Sequence, residues 1–133
     1  MSEGTKVVDG LYYSKDHEWV RIEDGIAVIG ITDHAQHALH EITYVEINDV
    51  GTTVKAAEEC GLVESMKASS DIFSPLSGEI VEVNTELEKA PEIVNEDPYG
   101  KGWMLKIRPS NLEEELASLM NSEEYAKYIS GLE

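Results

Sequence analysis

The chain has 133 residues, ten basic against 27 acidic side chains for a formal net charge of -17, and 41% hydrophobic residues. That length fits one domain spanning 1–133, with a modest core and a terminal appendage. The charge repels phosphate backbones and anionic lipid, and the apolar runs are too short to cross a bilayer; nucleic-acid and membrane partners are excluded, and self-repulsion predicts a monomer.

The N-terminal stretch "MSEGTKVVDG" has neither an apolar signal core nor an Arg-rich, acid-poor transit character, so the protein is predicted to stay where it is made. From 11 to 108 the chain repeats short β-branched or aromatic runs bounded by Gly, Asp, Asn and Pro, which predicts a mainly β body. "HEWVRI" and "IAVIGI" flank Asp24-Gly25, a strong hairpin signal. "TDHAQHALHE" then places Ala and Leu at helical spacing after Thr32 or Asp33 as a cap, predicting one or two helical turns. "TYVEI" resumes the strands and turns at Asn48, Asp49 and Gly51. "GLVES" and "SSDIF" flank Met66-Lys67-Ala68, which puts Lys67 near a hairpin tip; "EIVEV" reads as a half-exposed strand, and "GWMLKI" as the last strand of the set. "DGIAVIGI" and "SGEIVEVN" form a faint repeat, suggesting two similar strand sets folded against each other as a flattened barrel or sandwich.

After "RPS" the composition turns helical over 110–131. Ser110 with Glu113 gives a capping-box pattern, Leu112, Leu116, Leu119 and Met120 recur at helical spacing, and Ser122 caps a second short helix carrying Tyr125, Tyr128 and Ile129. This predicts an amphipathic tail packed on the β body, with a partner-docking helix as the alternative.

The candidate chemistry is sparse. His34, His37 and His40 recur every third residue and share roughly one third of a helix circumference, but lack the further ligands of a recognised metal frame, so no metal site is expected. No Gly-rich phosphate loop and no G-x-S-x-G elbow occurs. Cys60, the single cysteine, reads as a buried small apolar side chain. Lys67 lacks the burial that a Schiff-base lysine needs, whereas an amine on a protruding turn is open to covalent modification.

"ESMKASSDIFSPLSGEIVEVN" resembles the lipoyl-attachment region of the glycine cleavage H-protein family, in which E-S-x-K-A is followed by S-P-x-S-G-E. "YYSKDHEWV", "GITDHAQHALHEITYVEINDVG" and "NEDPYGKGWMLKIRPS" resemble three further family segments, and together they cover roughly 11–130. The chain departs from the pattern at His40, where Gly is usual and positive φ is easier, at Met66, where Val is common, and at Cys60.

The resemblance implies a mainly β, flattened barrel-sandwich hybrid of the lipoyl/biotinyl-like kind, with a short internal helix and C-terminal helices. It implies lipoate in amide linkage to Lys67, with Glu64, Ser65, Met66 and Ala68 as the neighbours that a modifying lipoate ligase or octanoyltransferase reads. The protein would catalyse nothing itself. Its lipoyl arm would take the aminomethyl group of glycine from the P-protein, a glycine decarboxylase, and pass it to the T-protein, an aminomethyltransferase. The L-protein, a dihydrolipoamide dehydrogenase, would reoxidise the arm. The expected compartment is a prokaryotic cytoplasm, or the mitochondrial matrix for a processed form. The competing readings are a lipoate-assembly or relay scaffold, an unmodified interaction module, and a metalloenzyme centred on the three histidines.

Overall fold

A computed structural model describes residues 5–131. The chain runs β1 (Tyr12–Tyr13), β2 (Glu18–Glu23), β3 (Ile26–Ile31), α1 (Asp33–Leu39), β4 (Ile42–Ile47), β5 (Thr53–Val54), β6 (Glu59–Ser65), β7 (Ser69–Phe73), β8 (Gly78–Val83), α2 (Glu86–Lys89), α3 (Ile93–Glu96), β9 (Leu105–Pro109), α4 (Leu112–Leu116) and α5 (Ser122–Ser130). The strands form a six-stranded sheet ordered β1-β2-β3-β9-β8-β5 and a three-stranded sheet ordered β4-β6-β7. The two sheets are separate rather than closed into a barrel, which is the hybrid sandwich architecture expected.

The first hairpin forms where Asp24-Gly25 predicts it. Glu23 pairs with Ile26, and both turn residues have positive φ, 50° and 80°, as a type I′ turn requires. Side chains alternate across this hairpin: Val20, Ala27 and Ile29 face the main core, and Trp19 and Val28 face a second cluster. The main core is shared between the sheets, since Val45, Val63 and Ile72 of the three-stranded sheet join Ile80, Leu105 and Ile107 of the other. Trp19 is fully buried and donates from Nε1 to the Pro98 carbonyl at 3.0 Å. Gly30 opposite leaves room for it, because a β-carbon there would stand 2.8 Å from the indole.

Three expectations are corrected. The faint repeat does not mark two facing strand sets: β3 and β8 lie in the same sheet, on either side of β9. The Ser110–Glu113 capping box does not form. Ser110 stays engaged with the sheet, its N–H donating to the Ser77 carbonyl at 3.0 Å, so Asn111 becomes the N-cap of α4 and makes no side-chain cap bond. The box forms instead on α5, where Asn121 accepts from the Glu124 N–H at 2.8 Å and Glu124 accepts from the Asn121 N–H at 2.9 Å; Ser122 is the first helical residue, not the cap.

The tail packs on the body as predicted. Leu112, Leu116 and Leu119 lie against the main core, while Tyr125 and Ile129 are fully buried in the second cluster with Leu11, Tyr13 and Trp19. Tyr13 stacks on Tyr125 at 4.4 Å between ring centroids, and β1 meets the tail again through paired bonds between Tyr13 and Met120, each 2.8 Å. The short helices α2 and α3 have no counterpart in the sequence pattern.

Candidate functional site: the lysine hairpin

Strands β6 and β7 pair antiparallel from Glu59↔Phe73 to Glu64↔Ser69, and Met66-Lys67 form the tip. A two-residue hairpin loop ordinarily uses positive φ at one or both loop residues, and neither Met66 nor Lys67 has it. Ser65 makes up the difference with its side chain. Its Oγ accepts from the Lys67 N–H at 3.1 Å and the Ala68 N–H at 3.0 Å, while its own N–H donates to the Ala68 carbonyl at 2.7 Å. The motif serine thus closes the turn that raises the lysine.

Lys67 is exposed, and among the described residues no ion pair involves it. Met66 beside it is 79% exposed, an apolar side chain held in water at the tip. Glu64 and Ala68 are exposed as well and Ser65 is half-buried, so the five motif residues stand together on one protruding turn. At this tip the lysine is exposed and the backbone around it is hydrogen-bonded.

The outer face of the three-stranded sheet continues from the tip. Tyr44, Glu64 and Ser69 form one cross-strand row, and Glu46, Leu62 and Asp71 the next. The face is strongly acidic. Glu46, followed by burial and then by Glu64 and Glu88, pushes up the pKa of the exposed Tyr44 hydroxyl, and the Asp71 carboxyl raises that of Glu59 by hydrogen bonding and charge.

A second feature, missed in the sequence, lies at the far end of β7. Glu18 is 2% exposed and accepts from Ser14 Oγ and from the Phe73 N–H at 3.2 Å. Burial pushes its carboxyl up to about 7, partly offset by these two donors. With Ser14, Asp16, Ala57, Phe73 and Ser74 it lines a cavity of about 140 Å³. Next to it, His17 takes φ 69° and meets the Tyr125 hydroxyl at 2.9 Å from Nδ1; burial, then the neighbouring His34, lowers its pKa to about 4. The "HEW" signature carries both residues, but in sequence it reads only as a strand.

The helix histidines are not brought together. His34 lies against the His17 ring at 4.5 Å, His37 reaches Asp33 at 3.6 Å, and His40 is the C-cap of α1. Cys60 is fully buried, and burial pushes its thiol up to about 12.

The site is thus an exposed lysine at the tip of a hydrogen-bonded hairpin in a two-sheet β sandwich. The glycine cleavage H-protein family model matches residues 11–131. A Pyrococcus abyssi protein named "Probable glycine cleavage system H protein" is 53% identical over 96% of this chain and 95% of its own length. A mitochondrial glycine cleavage system H protein of Flaveria trinervia is 54% identical over 92% of this chain and 73% of its own. The crystal structure of a glycine cleavage system H protein from Mycobacterium marinum superposes with a TM-score of 0.86 at 39% identity, covering 93% of this chain and 99% of that one. The chain belongs to the glycine cleavage H-protein family, and with it to the glycine cleavage system as the lipoyl carrier component.

Proposed function

We propose that Lys67 is the attachment point, joined through its Nζ to lipoate as an amide, and that the chain from the strands at 11–108 to the helices at 110–131 works as one carrier unit with no catalysis of its own. The observation that carries this is the tip: the E-S-M-K-A sequence folds into an exposed turn closed by Ser65, with the amine free of the described acidic residues. When bound, lipoate supplies a disulfide that accepts the aminomethyl group and is reoxidised after its transfer. The chain itself supplies position. A lysine plus lipoyl chain is about a dozen bonds long and reaches on the order of 14 Å, and tethering raises the effective concentration of its end at each docked enzyme.

Lys67 stands six residues from Phe73, about 20 Å at about 3.4 Å per residue, so an arm of this length spans most of the hairpin toward the cavity at Glu18 but not all of it. Ser14, Asp16 and Glu18 share the cavity with Ala56, Ala57, Phe73, Pro75 and Leu119, so a few polar atoms meet a mostly apolar lining there. The acidic outer face of β4, β6 and β7, with the exposed Tyr44 on its edge strand β4, favours brief docking against basic surfaces. The partners in this reading are the P-, T- and L-proteins and a lipoate ligase or octanoyltransferase. A cytoplasmic setting follows the archaeal relatives, and among the described residues no helix is long and apolar enough to cross a membrane.

The reading is tested by glycine-dependent release of carbon dioxide in a mixture of purified P-protein and lipoate-loaded carrier. The wild type supports it and Lys67→Arg does not; equal rates from both would overturn the assignment. A relay scaffold would accept and pass on lipoyl groups without supporting decarboxylation.

A further inference from the structure

The corner between α1 and β4 is strained, and it lies against the lysine hairpin. His40 stands at φ 67° and ψ −150°, a conformation that a side chain with a β-carbon adopts at a cost. Such a residue persists where its surroundings over-determine it, and here a single side chain does so. Asn95, in α3, accepts from the Ile42 N–H at 2.8 Å through Oδ1. Through Nδ2 it donates to the His40 carbonyl at 2.8 Å and to Gln36 Oε1 at 2.8 Å. Gln36 is itself tied to the corner, because its carbonyl accepts from the His40 N–H at 2.9 Å. Between the two residues held by Asn95 sits Glu41, whose carbonyl accepts from the Met66 N–H at 3.2 Å. Among the described residues that bond ties the two loop residues to anything beyond their own hairpin.

We infer that Asn95 is the positioning residue for Lys67: by clamping His40 and Ile42 it aims the Glu41 carbonyl at Met66 and so fixes the direction in which the tip presents its amine. The inference rests on Lys67 as the attachment point and adds to that reading a residue 28 positions away, on a different element, which makes no contact with the lysine. Ser65 shapes the turn, and Asn95 sets its bearing on the body. Without the clamp the corner relaxes toward negative φ, the Glu41 carbonyl swings off Met66, and the tip pivots on its two strands.

The experiment uses the full, unmodified chain and three variants: Asn95→Ala; Asn95→Asp, which keeps the acceptor toward Ile42 and loses the donor toward His40; and Asn84→Ala as a matched control. Asn84 also donates to two carbonyls, those of Lys101 at 2.9 Å and Trp103 at 2.7 Å, and accepts from the Glu86 N–H at 3.3 Å, so its loss removes a similar set of bonds, none of them to the corner at His40 or to the lysine hairpin. Two quantities are read: hydrogen exchange of the Met66 amide, and kcat/KM for lipoylation by a lipoate ligase with lipoate and ATP. Both Asn95 variants are expected to speed Met66 exchange and lower kcat/KM by about tenfold, the effect of one hydrogen bond, while Asn84→Ala changes neither. Adding His40→Gly to Asn95→Ala relieves the strain without replacing the clamp, and restores neither quantity to the wild-type value. The inference is overturned if the wild type is loaded on Lys67 while the Asn95 variants exchange and load at its rate, or if Asn84→Ala reproduces their defect. A wild type that is not loaded on Lys67 would instead defeat the attachment reading, and Met66 exchange would still decide the clamp.

Discussion

Glu18 and His17 are neighbours that titrate in opposite senses. Burial raises Glu18 from 4.5 to about 7, so between those values the folded state holds a proton that the unfolded chain has released, and stability falls as pH rises. Burial lowers His17 from 6.5 to about 4, so between those values the unfolded chain binds the extra proton, and stability rises with pH. The two slopes oppose each other from about 4.5 to 6.5, and Glu18 acts alone from there to about 7. Ionising Glu18 costs on the order of 3 kcal/mol. Glu18→Gln should unmask the His17 slope, with urea-derived stability climbing from pH 4 to 6.5; a falling profile in the variant would show that another group sets it. At the tip, Ser65→Ala removes the acceptor for two backbone N–H groups, and should lower lipoylation kcat/KM roughly tenfold without moving the denaturation midpoint. Unchanged kinetics would mean that the turn closes by other means. The lysine and its motif were legible in the sequence because they form one contiguous string. Glu18 and Asn95 were not, since Glu18 gains its meaning from Phe73 across 55 residues and Asn95 from His40 across 55 more.

Among the elements, the hairpins were the most legible, because Asp24-Gly25 and the alternation around it encode turn and register within a few residues. The helix start at Thr32 was equally local, its Oγ1 accepting from the Ala35 N–H at 3.2 Å. The tail was legible as amphipathic but its caps were not. Ser110 remained with the sheet, and Glu115, a residue without any assigned part in the sequence, accepts from the Ser77 N–H and Oγ at 2.7 and 2.6 Å to pin α4 there. Helix α5 is fastened by Tyr125, whose hydroxyl sits between His17 Nδ1 and Thr32 Oγ1 at 2.9 and 2.7 Å. Tyr125→Phe keeps the stack on Tyr13 and leaves both polar partners without the hydroxyl. It should cost about 1–3 kcal/mol in urea unfolding. A variant as stable as the wild type would show that water replaces the hydroxyl and that apolar burial alone holds the helix.

For the whole molecule, the net charge of -17 makes encounters with partner enzymes sensitive to ionic strength. Association with the P-protein should weaken as salt rises, mainly through a slower on-rate; binding that ignores salt would place the contact on apolar surface instead. The two-sheet body serves this role by holding one flexible arm on an otherwise hydrogen-bonded frame, and among the described residues no buried side-chain polar atom lacks a partner. The central claim is that this frame presents Lys67 for lipoate. The most direct test is intact mass followed by peptide mapping of the protein co-expressed with a lipoate ligase and supplied with lipoate. A gain of one lipoyl amide, mapped to Lys67, is the predicted result. An unmodified Lys67 under those conditions, or a lipoyl group on another lysine, would contradict the account.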